Sequence, residues 1–303
     1  MTENRVSLSR RKFIQALSAS AAAPLMISPR ALGNDAAPAA SDKLSIAAIG
    51  NGKMMYGSHL PHFLKMPEVQ VVAVCDVVDH LAEGARKAVN ERYGNSDCRI
   101  YKDFRRIIED KSIDAAVIST PDHWHVPMSL MALKAGKDVF CEKPTKALAE
   151  GRVLMNAVEK HNAVFQMGLE DRSVPHYHKM IEWLRNGAIG DLERVELQLP
   201  AGQYRGMEAA APVPEGTDYN LFVGPAPFMD YRKNVVEGWG WRFLRNFGSG
   251  TLLDWGSHQF DTAQLAVNAP EVCPVEVEGT GDIPSGILAD VPLQFDVDFR
   301  YST

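Results

Sequence analysis

"LSIAAIGNGKMMYG", residues 44–57, runs from an apolar segment into a glycine, with a second glycine close behind. A continuous apolar run of strand length is the signature of a strand covered on both faces. Gly50 and Gly52 fill the first two places of G-x-G-x-x-G. The first glycine lets the chain turn tightly, and the second lets backbone approach a pyrophosphate. The third place is Met55 instead of glycine or alanine, and a plain strand–helix turn explains a lone imperfect motif nearly as well. Pro61 follows, and a helix accepts proline readily only in its first turn. The helix is therefore expected to start late, near Ser58, behind a long phosphate loop.

The same texture continues downstream. "VQVVAVCD" (69–76), "IDAAVIST" (113–120) and "KDVFCEKP" (137–144) are apolar runs of strand length, and "HVPMSLMALKAG" (125–136) and "AEGRVLMNAVEKHN" (149–162) have helix length. In the last of these Leu154, Ala157 and Val158 share one face. Strands alternating with helices predict a doubly wound parallel sheet, a Rossmann-type α/β domain over residues 44–167. Asp76 closes the second strand, where an acid binds the adenosine ribose hydroxyls. A carboxylate there repels a 2′-phosphate, so NAD is expected over NADP.

The bulk properties exclude more than they assign. The chain has 303 residues, 46% hydrophobic and 23% charged, and a net charge of −6. No basic face is expected, so nucleic acid is not a partner. Cys75, Cys98, Cys141 and Cys273 show no metal-ligand spacing and are expected as buried free thiols. His176 and His178 stand at i, i+2 on a predicted helix and point apart, so no metal site is expected. "SLSRRKFIQALSASAAAPLMI" (7–27), with Arg10 and Arg11 before an Ala-rich run, has the layout of a twin-arginine export signal. A basic amphipathic first helix is the other reading. The signal is assigned to residues 1–33 and a linker to 34–43. This predicts a periplasmic or otherwise exported protein that meets the twin-arginine machinery, travels folded with its cofactor, and has no stable membrane insertion once mature.

Residues 168–303 read as a second, α+β domain. A helix is expected from Pro175 to Gly187, and β-type alternation in "DLERVELQLP" (191–200), "CPVEVEGTG" (273–281) and "LQFDVDFRY" (293–301). The chain stops at "VDFRYST", inside an apparent strand, as either a fragment or a short form with an exposed sheet edge. "VEGWGWRFLRN" (236–246) clusters Trp239, Trp241, Arg242 and Arg245. Aromatic faces beside fork-shaped donors suit a sugar ring, and a packed aromatic corner suits them equally. Arg172 and His176 are further polar candidates for substrate. "TLLDWGSHQFDTA" (251–263) holds Asp254, His258 and Asp261 among apolar neighbours. Alone, it fits a capped helix start with a packed histidine as well as a base with an orienting carboxylate.

"STPDHWHVPMSLMALKAGKDVFCEKP" (119–144) and "GSGTLLDWGSHQFD" (248–261) resemble the glucose–fructose oxidoreductase / inositol dehydrogenase / MocA family, and the likeness runs through residues 44–303. It is nearest the exported, Trp-rich, sugar-related branch. The resemblance implies an open-faced, mostly antiparallel sheet in the second domain, used as substrate platform and as the surface of a homo-dimer or tetramer. It implies that Lys143, between Glu142 and Pro144, is catalytic and neighbours the nicotinamide, with a cis peptide before the proline. It places Asp254 and His258 in the catalytic pair and Thr120, Pro121, His125 and Glu142 along the cofactor. The implied activity is NAD(P)-dependent oxidation of a secondary alcohol on a sugar, polyol or glycoside, with Lys143 and His258 as acid/base groups. His258 suits the hydroxyl proton, Asp254 its other ring nitrogen, and Lys143 the developing alkoxide. Free nicotinamide is scarce outside the cytoplasm, so tightly bound, internally recycled NAD is expected. The alternatives are a glycoside-cleaving enzyme or lyase that uses NAD transiently, and a non-catalytic ligand-binding member of the fold.

Overall fold

The computed structural model describes residues 38–39, 42–200, 204, 209–267 and 273–301. Arg10, Arg11 and the Ala-rich run behind them lie outside the described residues. Among the described residues no helix is long and apolar enough to cross a membrane.

Six strands form one parallel sheet: β1 (Leu44–Ile49), β2 (Val69–Cys75), β3 (Arg99–Tyr101), β4 (Ala115–Ile118), β5 (Asp138–Glu142) and β6 (Phe165–Gly168). Their order is β3-β2-β1-β4-β5-β6. Side chains alternate across a strand, so Ala47 and Ile49 enter one core while Ile46 and Ala48 enter the other. Helices cover both faces, which is why β4 is buried along its whole length. The winding direction reverses between β1 and β4, and the crevice beyond their carboxyl ends is where such sheets take ligands.

The first crossover differs from expectation. The chain is already helical at Lys53, not first at Ser58. A π turn at Met55–His59, in which the Leu60 N–H bonds back to the Met55 carbonyl, leads into α1 (Leu60–Phe63). This wider turn accommodates Pro61, which has no N–H and whose ring clashes with the carbonyl four residues back in a regular α turn. Met55 is fully buried beside Leu60, Val71 and Val74, so the residue that breaks the glycine motif serves as core packing.

The other crossovers are α2 (Asp79–Tyr93), α3 (Arg105–Glu109), α4 (Asp122–Lys134) and α5 (Leu148–His161). In α5, Leu154 is buried and Ala157 and Val158 pack beside it, the face that periodicity picks out. Further on come α6 (Pro175–Arg185), α7 (Tyr219–Val223), α8 (Lys233–Val236) and α9 (Gly250–Ala266). Pro175 opens α6, where its missing N–H costs nothing. The strands β7 (Glu276–Asp282) and β8 (Gln294–Arg300) pair antiparallel as a small second sheet. Residues 191–200 are not a strand. Alternation supplies a face but not a ladder, and no described strand lies alongside to take their N–H and C=O groups. Cys75, Cys98 and Cys141 are buried free thiols as expected, whereas Cys273 is exposed.

Gly50 has φ +80, and a Cβ there would lie 2.7 Å from the Ser119 carbonyl oxygen. Gly50→Ala is expected to cost about 1–3 kcal/mol for the strained backbone, measured by urea unfolding. An unchanged midpoint would contradict this account of the turn.

Candidate active site

Over the carboxyl ends of β1, β2, β4 and β5 lies a cleft of about 1010 Å³. Gly50, Gly52, Asp76, Thr120, Pro121 and His125 line one part, and Glu142, Lys143, Trp239, Trp241, Arg242, Asp254 and His258 line the rest. A Cβ on Gly52 would meet nothing within 4 Å, so backbone is open to the cleft there. Asp76 joins two loops: one carboxylate oxygen accepts the Asn51 N–H at 2.6 Å, the other the Val78 N–H at 2.9 Å. Burial pushes its carboxyl up to about 6, against those hydrogen bonds. The Ser119 and Thr120 hydroxyls are buried at the cleft with no hydrogen-bond partner among the described residues. An open glycine, an acid at the end of β2 and unspent hydroxyls between them fit a dinucleotide.

His125 lines the cleft, and both of its ring nitrogens face protein carbonyls. Its Nδ1 faces the Pro144 carbonyl at 3.0 Å and its Nε2 the Thr120 carbonyl at 2.8 Å. The ring braces the loop after β4 against the corner after β5. The Lys143–Pro144 peptide in that corner is cis, as the resemblance implies.

Lys143 stands directly after β5 and is 7% exposed, yet its ammonium is not bare: it donates to Asp254 Oδ1. Arg242 Nε lies 2.7 Å from the other Asp254 oxygen as an ion pair. The Arg242 guanidinium stacks over Trp239 at 3.8 Å and Trp241 at 4.7 Å from the ring centroids. Residues distant in sequence thus converge on one carboxylate. An ion pair this buried persists because each Asp254 oxygen faces a cation, Lys143 by hydrogen bond and Arg242 by charge.

His258 follows Asp254 by one helical turn on α9 but does not pair with it. The two full positive charges have taken that carboxylate. The His258 Nδ1 is buried without a hydrogen-bond partner among the described residues, and Glu170 Oε2 is 3.8 Å away. Burial, and then the Lys143 charge, hold the imidazole below its ordinary pKa.

Arg172 and His176 are not among the residues that line the cleft. Arg172 forks onto Asp261 at 2.5 and 2.7 Å, clamping the segment after β6 to α9. His176 is exposed on the first turn of α6 and packs on Tyr177. Sequence reasoning missed His59 and Glu170. His59 Nε2 meets Glu142 Oε1 at 2.5 Å, with Glu170 Oε1 at 3.9 Å. The π turn changes which residues face the sheet, so helical periodicity gave no signal for His59. Glu170 did have one, as a carboxylate just beyond the end of a parallel strand.

Two family models match the chain, one described as "oxidoreductase family, NAD-binding Rossmann fold" over residues 44–169, the other as "oxidoreductase family, C-terminal alpha/beta domain" over residues 201–286. The D-glucoside 3-dehydrogenase of Escherichia coli (strain K12) is 25% identical over 234 residues, 77% of this chain and 56% of that one. An inositol 2-dehydrogenase of Rubrobacter xylanophilus is 32% identical over 154 residues, 50% of this chain and 42% of that one. Among solved structures, GenD2 from gentamicin A biosynthesis in complex with NAD superposes with a TM-score of 0.61 at 18% identity, covering 86% of this chain and 63% of that one. The chain thus spans about half the length of these curated relatives.

Asp254→Asn leaves the Lys143 ammonium buried without its counter-charge, an expected loss of roughly 3–5 kcal/mol, measured by chemical denaturation. A loss below about 1 kcal/mol would mean that water reaches the pair. A second expectation concerns Asp122, at the start of α4, whose carboxyl burial pushes up to about 6. Folded protein then holds a proton that the unfolded chain has released, so stability falls as pH rises from the ordinary carboxylate value through about 6. Asp122→Asn should remove up to about 3 kcal/mol of that decline, leaving the share of Asp76. An unaltered slope in unfolding free energy between those pH values would rule out the Asp122 contribution.

Proposed function

As the chain belongs to the Gfo/Idh/MocA oxidoreductase family, we propose that it oxidises a secondary alcohol on a sugar or polyol with a nicotinamide cofactor. The observation that carries this reading is the meeting of Lys143, Asp254, Arg242 and His258 in the cleft that also holds Gly50, Gly52 and Asp76. Relatives named as dehydrogenases of glucosides and inositol support the substrate class.

A dinucleotide bound along Gly50, Gly52 and Asp76 would supply, through its nicotinamide, the hydride acceptor. The Lys143 ammonium donates to the substrate oxygen and stabilises the negative charge that develops there as the hydroxyl proton departs. Asp254 keeps that ammonium aimed, and Arg242 keeps Asp254 from swinging away. His258 accepts the hydroxyl proton on its free imidazole; its lowered pKa keeps the ring neutral, and ready for a proton, at neutral pH. Trp239 and Trp241 offer flat apolar faces to the ring of the substrate, while the stacked Arg242 presents its remaining N–H groups to hydroxyls. With Asp76 facing the ribose, NAD is the cofactor proposed.

The layout at Arg10 and Arg11 extends the proposal to export through the twin-arginine route, with NAD carried tightly and recycled by a second substrate.

Lys143→Met should lower turnover of an accepted sugar by about 100-fold or more while tight NAD binding persists. The measurement is nicotinamide fluorescence on a panel of sugars and polyols, with NAD binding followed by calorimetry. Loss of NAD binding without loss of fold would assign Lys143 to the cofactor, unchanged turnover would remove Lys143 from the mechanism, and no change in nicotinamide fluorescence of the parent with any sugar or polyol would remove the oxidoreductase reading.

A further inference from the structure

Glu142, Glu170 and His59 come from three separate elements: the end of β5, the turn after β6, and the π turn before α1. One ligand atom from each lies within 4.8 Å of the other two, in a largely buried setting. The hydride-transfer scheme uses none of the three.

Their electrostatics are unbalanced. Two carboxylates face one imidazole, and Lys143, whose charge also acts on Glu142, donates to Asp254. Burial and the Glu142 charge push the Glu170 carboxyl up to about 7. Glu170 shares a side-chain hydrogen bond with Glu142, but its spacings to the two imidazoles are too long for hydrogen bonds. Its Oε1 is 3.9 Å from His59 Nε2, and its Oε2 is 3.8 Å from His258 Nδ1. Neither Glu170 Oε1 nor His258 Nδ1 has a hydrogen-bond partner among the described residues, though both atoms are buried. The 3.9 Å between Glu170 Oε1 and His59 Nε2 exceeds hydrogen-bond length and leaves room for an ion about 2.1 Å from each, with the 2.5 Å contact of His59 and Glu142 opening to the roughly 3.4 Å that tetrahedral ligands keep. The strand also makes room for Glu142: a Cβ at Gly168 would lie 2.7 Å from its Oε1.

We propose that His59, Glu142 and Glu170 form a binding site for a divalent transition-metal ion, zinc by the chemistry of the donors, with His258 at its rim. Imidazole nitrogen with carboxylate oxygens is a zinc donor set, and three protein ligands leave one position for water. The ion neutralises the paired carboxylates and takes the lone pairs that no hydrogen bond uses. Glu170, 36% exposed at its side chain, provides the way in from solvent. This inference goes beyond the hydride-transfer reading and stands or falls separately from it.

The test uses the full chain without an affinity tag, stripped with chelator and titrated with zinc sulfate by calorimetry, then desalted for elemental analysis. One equivalent of zinc is expected, with no saturable heat from magnesium chloride at the same concentration. Glu170→Gln should weaken binding at least about tenfold, and His59→Ala should abolish it. His62→Ala, at an exposed histidine bonded to the Ser58 carbonyl, should bind as the parent does. Circular dichroism checks that each variant folds; if His59→Ala does not, Glu170→Gln decides alone. No saturable zinc binding, or binding that Glu170→Gln leaves unchanged, overturns the site. A chain that binds zinc through these residues but oxidises no sugar keeps the site and removes the oxidoreductase reading. A chain that oxidises sugar but binds no zinc does the reverse.

Discussion

The contact between the Lys143 ammonium and the Asp254 carboxylate is the constraint on which the rest of the site depends. Desolvating two charges is expensive, and the expense is offset only when the remaining lone pairs and protons are also satisfied. Arg242 faces the second Asp254 oxygen as an ion pair, its guanidinium lying over two indole rings. The end of β5, the segment around Trp239–Arg242 and the helix α9 are thereby locked around one carboxylate. Movement of any one of them would strand a buried charge.

That lock determines the chemistry available to its neighbours. With Asp254 engaged, His258 has no carboxylate in hydrogen-bonding contact with Nδ1, and its imidazole stays below its ordinary pKa under the influence of burial and Lys143. The cleft therefore sets the Lys143 ammonium beside an imidazole held below its ordinary pKa. On the far side of Glu142 the balance is reversed, with two carboxylates sharing one histidine. A net-positive wall and a net-negative wall meet at consecutive residues, because neighbouring side chains at a strand end point in opposite directions.

The cofactor end of the cleft rests on packing as much as on glycine. Gly50 must be glycine, since its left-handed backbone and the adjacent Ser119 carbonyl leave no room for a side chain. Met55 occupies the third place of the motif without obstructing the loop, because the π turn directs it into the core. An imperfect motif and a tight glycine turn open to the cleft are compatible here because the helix geometry changes to suit the sequence.

The apolar runs from Leu44 to Glu142, with helix-length stretches between them, were enough to order a parallel sheet, since burial on both faces leaves an unmistakable pattern. Gly50, Gly52, Asp76 and Lys143 could be nominated from their places at strand ends, where backbone geometry alone sets position. The partners of those residues could not. Helical spacing puts Asp254 and His258 on one face of α9, but which cation Asp254 takes depends on Lys143 and Arg242, brought near by the fold. Arg172 looked like a substrate ligand until Asp261, far along the chain, proved to be its partner. Alternation in residues 191–200 likewise gave a strand pattern without a neighbouring strand. Local pattern determined the elements and the candidate residues, because each depends on the short-range geometry of the chain. Tertiary structure decided which charges pair, because Coulomb energy in a desolvated site depends on distance and burial, and neither can be read along a sequence.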